Sequence, residues 1–240
     1  MDMENYHEDR GVHRSSFSLS HHWIWQPTKI EHPEKNSHAP LRLPMEEVGL
    51  QAIGAIGCIG SVQLGRLFAW KRPHIRRMLA EHKLVQHQLK KNRTTIPVFT
   101  LGPRAIQLLQ SNQTVNSWCH WSVADVLSNL IFFQFACALH EKQKGFQIQA
   151  SASPFTGKVQ MGEHTRHVLI LRGQDTKSIE RELQRSQWPV IVIAETLLDL
   201  KPLNHVLTHA YALMDQDLRK EYTFYRQRGG IWQQKITLVE

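Results

Sequence analysis

The apolar positions between Ser61 and Ala80 follow the period of two short helices. Ser61 is the predicted N-cap of the first helix. The second helix is predicted to begin at Pro73, after a turn at residues 70–72, because proline suits the first turn of a helix. The predicted inner positions are Val62, Leu64, Leu67 and Phe68 in the first helix, and Ile75, Met78, Leu79 and His82 in the second. Two short helices joined by a tight turn, the second basic on its outer side, predict a helix-turn-helix.

The pattern then becomes that of two strands. An extended segment begins at Leu84–Val85, and residues 96–101 form a second one, rich in β-branched and aromatic residues. The basic sequence KKNRTT between them predicts a hairpin tip, and Pro97 is expected to keep the second strand at the edge of a two-stranded wing. Gly102–Pro103 should end this strand and start another helix. A helix-turn-helix followed by such a hairpin predicts a winged helix.

A further helix is predicted to open at Pro44, with Glu46 and Glu47 in its first turn, where the helix dipole favours acids. Gly49, Gly54 and Gly57 weaken this helix, each by roughly 1 kcal/mol relative to alanine. We therefore expect close packing against the helix-turn-helix to hold it in place.

The second half of the chain alternates between helix and strand patterns. A long helix is predicted at 120–140, and it is apolar around most of its circumference. It either packs on its own sheet or forms a homodimer interface. The residues of that interface would be Leu127, Leu130, Ile131 and Phe135. Strands are predicted at 146–150, 167–172, 188–195 and 234–239, and helices at 175–187 and 197–216. This alternation predicts an α/β layer, with VIVIA (190–194) as a buried central strand.

These patterns divide the 240 residues into a disordered tail (1–40), a winged-helix domain (41–114) and an α/β domain (115–240). The tail is rich in His, Ser, Asn and Pro, without metal-ligand spacing. Its exceptions are Trp23 and Trp25, which either dock on the folded body or meet a partner. Three cysteines without CxxC spacing suit a reducing cytoplasm, no secretory leader is visible, and the apolar run LIFFQFACAL is too short to cross a bilayer.

The positive charge is concentrated in residues 61–104. Ten Lys and Arg residues face one acid, Glu81, so that this segment has a net charge of +9, against +8 for the whole chain. Such a concentration is typical of a polyanion partner. A solvated basic surface or a protein-binding module remains the alternative.

The same segment resembles the winged-helix module of the bacterial replication-relaxation proteins, which occur on plasmids and other mobile elements. The resemblance spans about residues 45–140 and depends on LAEHKLV, the basic hairpin and VFTLGPRAIQLL. The matching positions are Leu79, Leu84, Phe99, Leu101 and Gly102, followed by His120 and Ala124–Asp125–Val126. The resemblance implies plasmid or mobile-element replication or transcription control, and it implies that residues 115–240 resemble a degenerate restriction-endonuclease-like fold.

A nuclease of that fold needs an acid and then an acid-x-lysine step on neighbouring strands, so that carboxylates can hold a divalent metal. The predicted strands FQIQA and HVLILR contain neither Asp nor Glu, and Glu163, Glu195 and Asp175 do not complete the pattern. No other catalytic or nucleotide-binding motif is present. We therefore expect a non-enzymatic protein without cofactor, metal or small-molecule substrate; a nicking enzyme with an unrecognised site is the alternative.

The sequence thus predicts a cytoplasmic bacterial protein that binds double-stranded DNA, with no membrane partner. Arg76 and Arg77 are expected in or beside the major groove, where arginine can contact guanine. The remaining predicted contacts, most of them to phosphates, are Lys71, Arg72, Pro73, His74, Lys90, Lys91, Asn92 and Arg93.

Overall fold

A computed structural model describes residues 15–31, 40–41, 43–143, 145–185, 188–219, 222–229 and 231–235. The described α-helices are α1 (Pro44–Ile56), α2 (Ser61–Phe68), α3 (Arg72–Ala80), α4 (Pro103–Leu108), α5 (Val123–Lys142) and α6 (Thr176–Arg185). The described strands are β1 (Trp23–Gln26), β2 (Ile59–Gly60), β3 (Leu84–Lys91), β4 (Thr94–Leu101), β5 (Phe146–Gln149), β6 (Gly157–Met161), β7 (His164–Ile170), β8 (Val190–Ala194), β9 (Tyr211–Met214), β10 (Phe224–Arg228) and β11 (Ile231–Lys235). Short 3₁₀ helices occupy Ser117–His120, Leu197–Leu203 and Asp215–Arg219. The fold is mixed α+β, with two sheets.

The first sheet has the order β1-β3-β4-β2 and is antiparallel throughout. Strand β4 has β2 as a second neighbour only at Val98 and Phe99, so Pro97 lies on a free edge, as expected. The hairpin is not two-stranded, however, because β1 pairs with β3 on its other side. Ser61 is the first residue of α2 rather than its cap; the preceding Gly60 N–H is bound by the Gln63 Oε1 at 2.8 Å.

Helix α1 is held by contacts that only glycine permits. A Cβ on Gly49 would lie 2.5 Å from the Trp70 ring, which confirms close packing of α1 against the α2–α3 turn. Gly57 is not inside the helix but ends it, with a φ of +123° that glycine adopts readily.

Helix α5 lies at the centre of the molecule. It begins at Val123 rather than at His120, because Ser122 and Asp125 form a capping box in which the Ser122 Oγ accepts from the Asp125 N–H at 3.1 Å. Thirteen of its twenty residues are buried. Among the described residues it is the one helix long and apolar enough to span a bilayer by length and composition, and 78% of its apolar window is buried inside the chain.

The predicted dimer contacts of α5 are all buried within one chain. Leu127, Leu130, Ile131 and Phe135 pack in the hydrophobic core. They cannot form a dimer surface without opening that core, so of the two alternatives the structure shows packing on the chain's own sheet. A homodimer itself stays a prediction.

The second sheet has seven strands in sequential order from β5 to β11. Strands β7, β8 and β9 are parallel and the outer pairs are antiparallel. Helix α5 covers one face, while α6 and the 3₁₀ helix at Leu197–Leu203 cover the other. Strand β8, in the middle, is fully buried, as VIVIA predicts. One hydrophobic cluster contains residues from both sides of position 115, so the two predicted domains share a core.

Several predicted elements of the second half need correction. The helix expected at 197–216 is a 3₁₀ helix followed by β9, and strands β6 and β10 were missed. The C-terminal strand begins earlier than expected, at Ile231, and residues 236–239 of the prediction lie outside the described residues.

The disordered tail is also corrected in part. Residues 15–31 are ordered, because β1 adds to the hairpin and its tryptophans dock on the body of the protein. Residues 1–14 and 32–39 of the predicted tail lie outside the described residues.

Candidate nucleic-acid interface

Helix α3 presents its first turn to solvent. Ala69, in a left-handed conformation with a φ of 55°, ends α2, and two further residues lead into α3. Ile75 and Met78 anchor α3 in the core, while Lys71, Arg72, Pro73 and Arg76 are exposed. The side with exposed cations is therefore opposite to the side that packs.

Adjacent arginines of α3 have different environments. Arg76 is exposed. Arg77 is about one third exposed, and its Nη2 donates to the Glu46 Oε2 at 3.3 Å and lies 3.1 Å from the His74 Nδ1. Burial, followed by the charge of Arg77, lowers the pKa of His74. Of the two arginines predicted in the major groove, one is free to face outwards and the other is bound within the protein.

Beneath α3 lies a buried ion network that joins α1 to the turn between α3 and β3. Glu46 and Lys83 are both 0% exposed, and the Lys83 Nζ donates to the Glu46 Oε1 at 2.5 Å. Lys83 also contacts the Glu81 Oε2 at 2.8 Å and the Pro40 carbonyl at 2.6 Å. Glu46 lies in the first turn of α1, as the sequence predicts, and in addition pairs with Lys83. Lys83, which the sequence counts among the cations of the basic segment, is buried in this pair.

Four residues that are predicted to contact DNA lie together at the tip of the β3–β4 hairpin. Strand β3 ends at Lys91 and β4 begins at Thr94, with Asn92 in a left-handed conformation at a φ of 52°. Asparagine tolerates this conformation better than most residues. Asn92 and Arg93 are exposed, and Lys90 and Lys91 are half-buried.

Strand β1 borders this tip, a neighbour that the sequence did not predict. Trp23 pairs with Lys91 across the ladder, and the Lys91 Nζ lies 5.3 Å from the centre of the Trp23 ring. The attraction between an ammonium and an aromatic face orients Lys91. Ile24, on the opposite face of β1, is exposed beside Lys90.

A buried histidine holds this N-terminal segment against β3. The Thr28 N–H donates to the Nδ1 of His87 at 2.9 Å, so the proton is on Nε2, which contacts the Thr100 Oγ1 at 2.8 Å. Burial lowers the pKa of His87 to about 4. The neutral ring lies between the indoles of Trp25 and Trp118, with centroids at 5.2 and 5.3 Å.

The second half contains a buried ion pair, and its first three strands contain no carboxylates. Strands β5, β6 and β7 contain no Asp or Glu. Arg172, just after β7, donates to the carboxylate of Asp215, just after β9, and the Ser15 hydroxyl donates to the same carboxylate. Within the described residues no group of three or more His, Cys, Asp or Glu side chains is placed to hold a metal ion.

Comparison with known proteins gives no relative. No family model, no curated protein and no solved structure matches this chain. The resemblance to the replication-relaxation proteins therefore stays an expectation from the sequence.

Proposed function

We propose that this chain binds duplex DNA through a winged helix formed by α1 to α3, β2 and the β3–β4 hairpin. The observation that supports this proposal is that the cations of the basic segment fall into two groups, one paired inside the protein and one exposed. Arg66, Arg77 and Lys83 are paired with acids of the chain. In contrast, the start of α3 exposes Lys71, Arg72 and Arg76, and the hairpin tip exposes Arg93. Exposed cations that have no ion-pair partner in the described part of the chain are what a phosphate backbone would neutralise.

In this proposal Arg76 rather than Arg77 faces the base edges. A side chain must leave the protein surface to reach the major groove. Arg76 is exposed, whereas Arg77 is bound to Glu46 and positions α3. The hairpin cations contact phosphates, which contain no sequence information.

The test is a titration of a labelled duplex at several salt concentrations. If about five cations neutralise phosphates, the logarithm of affinity falls with the logarithm of salt concentration at a slope of about −4 to −5. A slope near zero would favour the alternative, a protein-interaction module.

Arg76→Ala and Arg77→Ala form a matched pair on one helix. Arg76→Ala should weaken binding to a preferred site by about 1–3 kcal/mol and leave thermal stability unchanged. Arg77→Ala should lower stability and leave the affinity of the folded protein nearly unchanged. The reverse pattern would contradict the assignment of the two arginines.

We further infer that the second half does not cut DNA and belongs to a plasmid or mobile-element regulator. The carboxylate-free strands β5 to β7 support the first part, and the sequence resemblance supports the second. Incubation of supercoiled plasmid with the pure protein and Mg²⁺ or Mn²⁺ tests this inference, because nicking would reveal a nuclease.

A further inference from the structure

A cavity opens between α6, the start of β8 and the segment before β9, at the end of the parallel strands where each strand begins. Its volume is about 560 Å³, within the range of small-ligand sites. The floor is apolar and buried, made by Leu183, Val190, Leu207 and Ala210. The rim is polar and exposed, with Gln184, Thr208 and His209.

One wall of this cavity is the indole of Trp188. This side chain is 48% exposed, although tryptophan side chains are on average highly buried in folded proteins. One face of the indole is stacked on the His167 ring, with centroids 4.2 Å apart and planes at 12°. Trp188 lines the cavity, whereas His167 does not.

The stack behind Trp188 is rigid. The Ser151 Oγ lies 2.8 Å from the His167 Nδ1, and the Phe155 ring packs against both His167 and Trp188 at 5.1 and 5.7 Å. The His167 N–H donates to the Pro189 carbonyl at 2.9 Å, which fixes the chain next to Trp188. These contacts position the indole at the wall of the cavity.

We propose that this cavity binds an unpaired nucleobase, stacked on Trp188. An aromatic wall offers a stacking surface that every base can use. The amide, hydroxyl and imidazole groups of the rim are donors and acceptors for the edge of a base, and the apolar floor suits its ring. The ligand class rests on the proposed DNA binding, because the basic segment 61–104 would hold the nucleic acid whose unpaired base enters this cavity.

The experiment measures the affinity of the full chain for two labelled probes, a single-stranded oligo-dA and a blunt duplex. Trp188→Ala should weaken binding of the single strand by about 5- to 150-fold, the effect of one stacked base, and leave duplex binding unchanged. Trp188→Phe should retain most of the affinity. Leu198→Ala, which removes another exposed apolar side chain outside the cavity, is the matched control and should change neither probe.

A second variant tests the proposal even if Trp188→Ala does not fold. Thr208→Trp adds an indole at the exposed rim, where it should fill the cavity without touching the core and weaken single-strand binding to the same degree. The proposal is overturned if oligo-dA does not bind, or if either variant leaves its affinity unchanged. If the unaltered protein does not bind the duplex, the proposed winged-helix function is refuted instead, so the two failures are distinguishable.

Discussion

Removing one partner from the buried network beneath α3 should destabilise the protein strongly. Glu46 and Lys83 are both 0% exposed and 2.5 Å apart. A charge left buried without its partner typically costs about 3–5 kcal/mol, while replacing both members by apolar residues is often nearly neutral.

The structure also predicts which partner matters more. Without Glu46, Lys83 retains Glu81 at 2.8 Å and the Pro40 carbonyl at 2.6 Å. Without Lys83, the fully buried carboxylate of Glu46 keeps a contact with Arg77 at 3.3 Å, which is longer than either contact that Lys83 would retain. Lys83→Met should therefore approach a loss of about 5 kcal/mol and Glu46→Gln about 3 kcal/mol.

Urea denaturation followed by circular dichroism measures these free energies of unfolding. The double variant Glu46→Leu/Lys83→Met should lose much less than the sum of the single variants, because no buried charge of the pair is left uncompensated. Arg66→Ala is the control: its ion pair with Glu141 at 2.6 Å is largely exposed and should contribute about 1 kcal/mol or less. Additive losses, or a cost of Lys83→Met no larger than that of Arg66→Ala, would refute the argument.

Two further outcomes are expected. The pKa of His87 is about 4 in the folded protein and 6.5 in the unfolded chain, so the unfolded state binds the extra proton first. The free energy of unfolding should fall by about 3 kcal/mol between pH 6.5 and pH 4, with no further loss from this group below that range. Urea midpoints measured across this pH range, with His87→Gln as the comparison, test the effect. An equally steep fall in the variant would show that another group causes the pH dependence. Gly102→Ala should lower the thermal midpoint, because the added Cβ would lie 2.2 Å from the His82 carbonyl oxygen, a backbone atom that cannot easily move; an unchanged midpoint would show that the turn after α3 can shift.

The sequence predicted the elements whose signals are local. The 3.6-residue spacing of Ile75 and Met78, the proline at the start of α3 and the Gly102–Pro103 break all depend on neighbours within one turn. The central strand β8 was equally clear, since five consecutive β-favouring or small apolar residues suit a strand buried on both faces.

Elements that depend on distant partners were missed. Strand β1 has only four residues, and it exists because β3 offers it a free edge and the core offers its tryptophans a place to pack. Strand β9 follows a segment with helical spacing, but its Ala212 and Leu213 fill the sheet next to β8. Propensity is a weak guide where tertiary packing decides the conformation.

The net charge counted from the sequence overstates the positive charge that the folded segment exposes. The sequence gives residues 61–104 a net charge of +9, yet Arg66 and Arg77 are paired with Glu141 and Glu46, which lie outside that segment, and Lys83 is buried. If all ten cations of the segment met phosphates, the salt slope would be about −9, whereas the six cations of the α3 turn and the hairpin tip give about −5. A measured slope near −5 would show that the internal pairs persist on DNA. A slope near −9 would mean that binding opens them, and then Glu46 would regulate the interface rather than merely support it.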